Sequence, residues 1–516
     1  MTSVEEVGRP ALSGRIADTL VLDPSAPFLE FHGEWRTWGQ LAVTADAVAA
    51  HVPTPGTRVG VLLRNRPAHV GILVGLLRAG ACVVTINPSR GVDRVRADLA
   101  GLGLPILAGT PDDIAMFVDP ELGLRVLTAT DLGGPVAASG ALPDDLGAPR
   151  PEVAVEMLTS GTTGPPKRIP LGYEMLLRGL VGAKHYESNQ DDTPRLRSGV
   201  AIVNAPLVHM GGLFRVLQCL YDGRALCLLE RFALDPWADA VRRHRPRTVS
   251  LVPAALRMVL EADLDPAVFA SVRSVISGTA PLSPDDADAF EAKYGVPVLV
   301  SYAATEFGGG VAGWNLADHQ KYWAAKRGSV GRAHAGCELR VVDAESLEPL
   351  PPDTEGLLEV RAHQFGDGAG WVHTTDLARL DADGFLWILG RADQAIIRGG
   401  FKIIPDDVRV ALERDPRVRA AAVVGRPDPR LGAVPVAAVE LRTAVGALEA
   451  KEVAQALRTD AARVLAAYEL PTEIRVVDAL PRTPSGKADL GAIKELLATP
   501  NRDQDQGQDQ EWERER

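Results

Sequence analysis

The stretch Leu158-Thr159-Ser160-Gly161-Thr162-Thr163-Gly164-Pro165-Pro166-Lys167 places hydroxyl residues and two glycines directly before a lysine. Glycine tolerates positive φ and lets an anion approach the backbone closely. Successive N–H groups in such a turn form a nest for anions, and a terminal ammonium adds a point charge. The GxxxxGK[ST] spacing of a Walker A loop is missing, so the nest belongs to another kind of phosphate site. A plain polar linker has no need for this order of hydroxyl, glycine and lysine.

Outward from this loop, short β-branched runs alternate with amphipathic stretches. Strands are expected at Arg58–Leu63, Cys82–Asn87, Ala201–Pro206, Ala225–Leu229, Thr248–Val252, Val272–Ser277 and Pro297–Ser301. Ser283 before Pro284 reads as a helix N-cap with proline at the first helical position. The alternation predicts an α/β fold: a large N-terminal domain of mainly parallel sheets covered by helices. Near residue 390 the pattern changes. Strands at Ala420–Val424, Val434–Leu441 and Glu473–Val477, with a helix over Leu448–Ala467, predict a small α+β C-terminal domain. The expected divisions are 1–391, a mobile domain over 392–498, and a disordered polar tail over 499–516.

The 516 residues are 46% hydrophobic and 24% charged, enough for a large core without disulfide or metal staples. The net charge of −12 lacks the basic stripe of a nucleic-acid binder. Val70 to Ile86 is apolar but interrupted by Arg78 and Gly80; it reads as a buried helix and a strand, not a membrane span. Cys82, Cys219, Cys227 and Cys337 show no metal-finger spacing and are expected as buried thiols. Met1 to Glu6 carries acid where a secretory signal has basic residues, so a cytoplasmic location is expected. Only nine lysines stand among 55 basic residues, and three of them, Lys167, Lys402 and Lys487, sit in glycine-containing turns.

The phosphate loop resembles that of the adenylate-forming superfamily: acyl-CoA synthetases, peptide-synthetase adenylation domains and luciferases. Further motifs of that family follow in order. They are Ala205 to Gly212 with His209 before the glycines, Ser277 to Leu282 (SGTAPL), Ser301 to Glu306 (SYAATE) and His373-Thr374-Thr375-Asp376. Gly390-Arg391-Ala392-Asp393, then Gly399-Gly400-Phe401-Lys402, and finally Pro481 to Lys487 (PRTPSGK) complete the set. The resemblance spans about residues 15–498 and is most like a stand-alone acyl-CoA synthetase.

That resemblance implies an AMP-forming ligase. A carboxylate attacks ATP to give acyl-AMP, and the acyl group then passes to coenzyme A. Thr159, Ser160, Gly161, Thr162, Thr163, Gly164 and Lys167 are expected around the β- and γ-phosphates. Gly278, Thr279 and Ala280 are expected to bind the nucleotide, Tyr302 and Ala303 at its adenine, and Asp376 and Arg391 at the ribose. Thr305 is assigned to the α-phosphate and Glu306 to Mg2+. Lys487 bridges the carboxylate and α-phosphate. Asp393 is the expected hinge, Gly399, Gly400 and Lys402 the CoA entry, and His209 a gate. Val208, Gly212, Leu213, Ser277, Phe307, Gly308 and Gly309, continuing to Gly310, are expected to line a pocket for an apolar acid.

Four residues depart from the family pattern: Arg168 and Thr375 where glycine is usual, Ala303 after the motif tyrosine, and His373 in place of the usual basic residue. Arg168, Ala303 and Thr375 are expected around the nucleotide. Two other enzymes fit the motifs: one that thioesterifies a supplied acyl-AMP, and one that loads a carrier protein in trans. A scaffold has no need for lysines in separate glycine turns. Monomer and homodimer are equally compatible with the sequence.

Overall fold

The computed structural model describes residues 11–159, 167–183, 193–398, 401–483 and 486–498. The chain forms two compact units. The first holds the described residues up to 338 together with Arg361–Gly370; the second holds Leu339–Val360 and Trp371 onward. Compactness therefore draws its line ahead of the division at 391/392 expected from composition, because the strands that carry Asp376 and Arg391 group with the C-terminal segment.

Three sheets build the first unit. The largest orders its strands Val136–Ser139, Arg125–Ala129, Ile106–Gly109, Arg58–Leu62, Cys82–Ile86, Val153–Thr159 and Lys167–Gly172. Its inner pairings are parallel, and both edges are closed by antiparallel strands. Cys82–Ile86 is buried at every position, as a parallel strand covered on both faces must be. Helix Pro67–Arg78 covers it; proline at its start supplies the preset φ, and all but its last residue are buried. The expected helix-then-strand reading of this apolar run holds.

The second sheet orders Thr248–Ser250, Ser274–Ser277, Val298–Ala304, Gly309–Gly313 and Arg332–Ala333, parallel at first and antiparallel after Val298–Ala304. The third runs Arg197–Val203, Arg224–Leu228, Pro27–Phe31 and Glu34–Thr37. Helix Pro284–Tyr294 begins at Ser283 as expected, but the Ser283 side chain makes no capping bond; the fixed φ of Pro284 and two first-turn aspartates serve in its place.

The second unit contains an antiparallel sheet of Cys337–Val342, Glu355–Ala362, Val372–Leu380 and Leu386–Arg391. Its other sheet pairs Phe401–Ile403, Ile396–Arg398, Gly432–Leu441 and Val418–Asp428, with Glu473–Val477 parallel to Gly432–Leu441. The helix there is Ala447–Ala461, shorter than expected; past it the Glu469 carboxylate accepts the Ala466 N–H and fixes turns. All four cysteines are buried free thiols. Among the described residues no helix is long and apolar enough to cross a membrane. The tail over 499–516 lies outside the described residues.

Candidate active site

In the first unit, Thr159 and Lys167 are register partners at the end of an antiparallel ladder that runs back to Val153 and Gly172. The ladder brings the two ends of the phosphate-loop motif side by side. Ser160, Gly161, Thr162, Thr163 and Gly164 lie outside the described residues. Side chains alternate across a strand, so Lys167 and Arg168 take opposite faces. Lys167 is exposed. Arg168 turns inward, donating Nη1 to the Thr85 carbonyl at 2.8 Å and Nη2 to Asp98 at 2.6 Å. Arg168 was expected among the departures around the nucleotide; its guanidinium binds the sheet and helix Val92–Leu102.

The second sheet carries the next motifs. Gly278 lies where a Cβ would come within 3.0 Å of the Ser301 carbonyl, which explains glycine at this position. Thr279 has φ +72°. A β-branched residue in the left-handed region is strained, by about 1–3 kcal/mol, and such residues gather at functional turns. Its side chain is exposed and Ala280 is half-buried. Tyr302 is half-buried on strand Val298–Ala304, its ring centroid 5.9 Å from that of Phe307, while Ala303 is exposed. Thr305 and Glu306 stand on a single 3-10 turn, Thr305–Phe307; Glu306 is exposed and Thr305 half-buried. Among the described residues Glu306 makes no ion pair, so its oxygens suit a hard cation.

The glycine run after this turn is not open space. Gly308 has φ +65°, and a Cβ there would meet Met175 Cγ at 2.6 Å. A Cβ on Gly309 would meet the Phe214 ring at 3.6 and 3.8 Å and the Gln364 amide at 3.9 Å. A Cβ on Gly310 would come within 3.0 Å of His334 Cε1. Burial holds His334 below the ordinary imidazole range, so the ring is neutral. Phe307 is buried against Phe365, with ring centroids 6.0 Å apart.

His209 precedes helix Met210–Asp222 at its N-cap position and is half-buried. Three neighbours expected in the acyl pocket are tightly packed. A Cβ on Gly212 would strike the Pro206 carbonyl at 2.3 Å, so this glycine seats the helix on the preceding turn. Leu213 is fully buried in the main core, and Val208 is 6% exposed in the same cluster. Ser277 is fully buried too, and its Oγ has no hydrogen-bond partner among the described residues. Met175, Phe214 and His334, which border the glycine run, were not legible in advance because no motif contains them.

In the second unit, Asp376 and Arg391 are register partners on neighbouring antiparallel strands. The Asp376 N–H donates to Thr374 Oγ1 at 3.1 Å, and that hydroxyl donates to the Leu358 carbonyl at 2.7 Å. Arg391 grips Asp393 with Nε at 2.9 Å and Nη2 at 2.7 Å, and this holds the Asp393 carboxyl below its usual range. His373 pairs through Nδ1 with the buried Glu359, whose second oxygen accepts Arg340 Nε at 2.6 Å. Thr375 is exposed. Gly399 and Gly400 lie outside the described residues; the backbone of Lys402 pairs with Ile397. Lys487 is exposed on a turn closed by Thr483 N–H to the Lys487 carbonyl and Gly486 N–H to the Thr483 carbonyl, both 2.8 Å.

The AMP-binding enzyme family matches residues 18–368, and the AMP-binding enzyme C-terminal domain matches 409–487. The chain belongs to this adenylate-forming family. It is 31% identical over 498 residues to a sulfoacetate–CoA ligase of Cupriavidus necator, covering 90% of this chain and 93% of that one. It is 30% identical over 499 residues to a feruloyl-CoA synthase of an Amycolatopsis species, covering 92% and 96%. Among solved structures, an ATP-bound RpMatB-BxBclM chimera superposes with a TM-score of 0.79 at 25% identity, covering 95% of this chain and 99% of that one. These relatives support an AMP-forming CoA ligase activity for the family member described here.

Proposed function

We propose that this chain joins an apolar, aromatic-type carboxylic acid to coenzyme A at the expense of ATP. In the first half-reaction a carboxylate oxygen attacks the α-phosphorus, acyl-AMP forms and pyrophosphate leaves. In the second, the CoA sulfur attacks the acyl carbonyl, the thiol proton is lost to solvent and AMP departs.

Lys167 and the loop hydroxyls hold the β- and γ-phosphates, while Thr305 contacts the α-phosphate. Glu306 holds Mg2+, which when bound neutralises phosphate oxygens. Tyr302, Ala303, Gly278, Thr279 and Ala280 border the adenine; Asp376 accepts the ribose hydroxyls beside Arg391. Lys487 stabilises charge that develops between carboxylate and α-phosphate, a contribution made only in the first transition state. Rotation about Asp393 then replaces Lys487 with the Gly399-Gly400 turn and Lys402, which admit the pantetheine arm past His209.

The observation that carries the ATP-using reading is the alternation at Lys167 and Arg168. The departure at 168 points into the sheet, and Lys167, next to it on the strand, takes the other face and is exposed. For the acid, Tyr302, Phe307, Phe365, Phe214 and Met175 supply apolar surface around the glycine run. The feruloyl-CoA synthase relative, by its name, makes the thioester of an aromatic acid.

A panel of aromatic, aliphatic and sulfonated acids, assayed with ATP, Mg2+ and CoA, tests the reading. Pyrophosphate release and thioester formation are scored separately, and both are expected with aromatic acids. Thioester made only from supplied acyl-AMP would replace the full ligase by the half-reaction enzyme.

A further inference from the structure

The glycines on and beside strand Gly309–Gly313 lack side chains for different reasons. Gly308 has φ +65°, a conformation that by itself favours glycine. Gly310 and Gly313 have no positive φ, and glycine weakens a strand interior. Their reason is a neighbour. A Cβ on Gly313 would fall 2.6 Å from His334 Nε2, and one on Gly310 would fall 3.0 Å from Cε1 and 3.5 Å from Nδ1. One edge of a single imidazole fills the room that two missing side chains leave.

Register brings this ring to the motif strand. Gly310 is the partner of Ala303 and Gly313 the partner of Ser301, with Val311 as the extra residue of a bulge between them. Both glycines therefore share the face of Ser301 and Ala303, whereas Gly309 faces the other way, toward Phe214. Ala303 is exposed on that face, so a molecule that reaches the strand pair there meets the ring. The backbone beneath the ring is tied down. Strand Arg332–Ala333 pairs with Ala312 and Gly313, the His334 N–H donates to the Val311 carbonyl, and the Cys337 N–H donates to the His334 carbonyl, both at 2.9 Å. Burial holds the imidazole below its ordinary range, so near neutral pH it acts as a body of fixed size and not as a charge.

We propose, on the reading that the acid binds beside the glycine run, that His334 sets the size of acid the site accepts. Its ring closes the space next to Gly310 and Gly313 and restricts the substrate to compact acids. The test compares kcat/KM for para-tert-butylbenzoate with kcat/KM for benzoate, using the full chain with ATP, Mg2+ and CoA. The unaltered chain should favour benzoate. His334→Ala should raise the ratio of bulky to compact acid about tenfold or more, the scale on which a pocket discriminates single methylene groups. His334→Leu restores the volume without the nitrogens and should bring the ratio back near that of the unaltered chain. KM for ATP should be the same in all three proteins. Where His334→Ala does not fold, His334→Val carries the same comparison. An unchanged ratio in the folded smaller variant would overturn the proposal. So would a His334→Leu protein that selects as the alanine variant does, because the nitrogens and not the volume would then choose the acid. If the chain uses aliphatic acids only, the aromatic reading of the substrate fails, and the ratio of octanoate to butyrate decides on His334 in the same way. Thioester from no acid of either series would remove both readings together.

Discussion

Lys167 and Lys487 are both exposed lysines beside a glycine-containing loop, yet the backbone beneath them differs. Lys167 opens strand Lys167–Gly172 and is held by a ladder running through Leu158↔Arg168, Met157↔Ile169 and on to Val153↔Gly172. Lys487 stands on a short turn, fastened by Thr483, by the isolated bridge Arg482↔Ala488 and by Gly486 at φ +83°. A ladder holds an ammonium in one place through every step, which suits a charge that binds phosphates in ground and transition states alike. A single turn suits a charge needed at one step and withdrawn at the next. The two lysines are therefore expected to fail in different ways.

The largest effect belongs to Lys487→Ala. Loss of a donor that acts only on developing charge should lower the rate of adenylation about 10²–10³-fold. Thioester formation from supplied acyl-AMP should stay within a few-fold of normal. Single-turnover measurement of each half-reaction separates them, and equal losses would erase the contrast between the lysines. Lys167→Ala comes next. Removing an interaction made equally in both states raises KM with little change in kcat. An increase of about tenfold in KM for ATP is expected, equivalent to one phosphate contact of about 1.4 kcal/mol. A fall in kcat with KM intact would mean that Lys167 acts as Lys487 does.

Gly486→Ala tests the turn itself. Alanine at φ +83° costs about 1 kcal/mol or more locally. The turn should loosen and adenylation should fall a few-fold, with the second half-reaction unaffected. Should adenylation be unchanged, the turn's conformation has no part in aiming Lys487.

Much of this was legible in the sequence, for physical reasons that differ from place to place. Glu473–Val477 forms over its expected residues and Thr248–Ser250 within its own, and Cys82–Ile86 was legible because a fully buried parallel strand is written as an apolar β-branched run. The sheet of Cys337–Val342, Glu355–Ala362, Val372–Leu380 and Leu386–Arg391 was not legible as a sheet: half-exposed antiparallel strands mix polar with apolar positions. Asp376 and Arg391 were each identifiable by motif, while their pairing across a ladder is a fact of register. Gly212 was expected along the acyl pocket from its motif, while the Pro206 carbonyl that excludes a side chain there is visible only in the fold.

The smallest effect on activity, and the sharpest check on the ladder, is expected from Arg168→Gly, which installs the residue usual in the family. If the arginine crowded the nucleotide, removing it would lower KM for ATP. Its contacts argue otherwise. The guanidinium donates to Thr85 of strand Cys82–Ile86 and to Asp98 of helix Val92–Leu102, and its side chain is only 15% exposed. Without it, the Asp98 carboxylate, 21% exposed, loses its partner, and a glycine enters a strand interior. A charged hydrogen bond lost at a part-buried site costs about 1.5–3 kcal/mol. Arg168→Gly should therefore lower the denaturation midpoint while KM for ATP stays within about twofold, a change below 0.5 kcal/mol. Denaturant titration and initial rates on the same preparation read both quantities. A tighter KM at undiminished stability would move Arg168 to the nucleotide face and turn the strand over, which would carry Lys167 into the sheet and remove the basis for contrasting the two lysines.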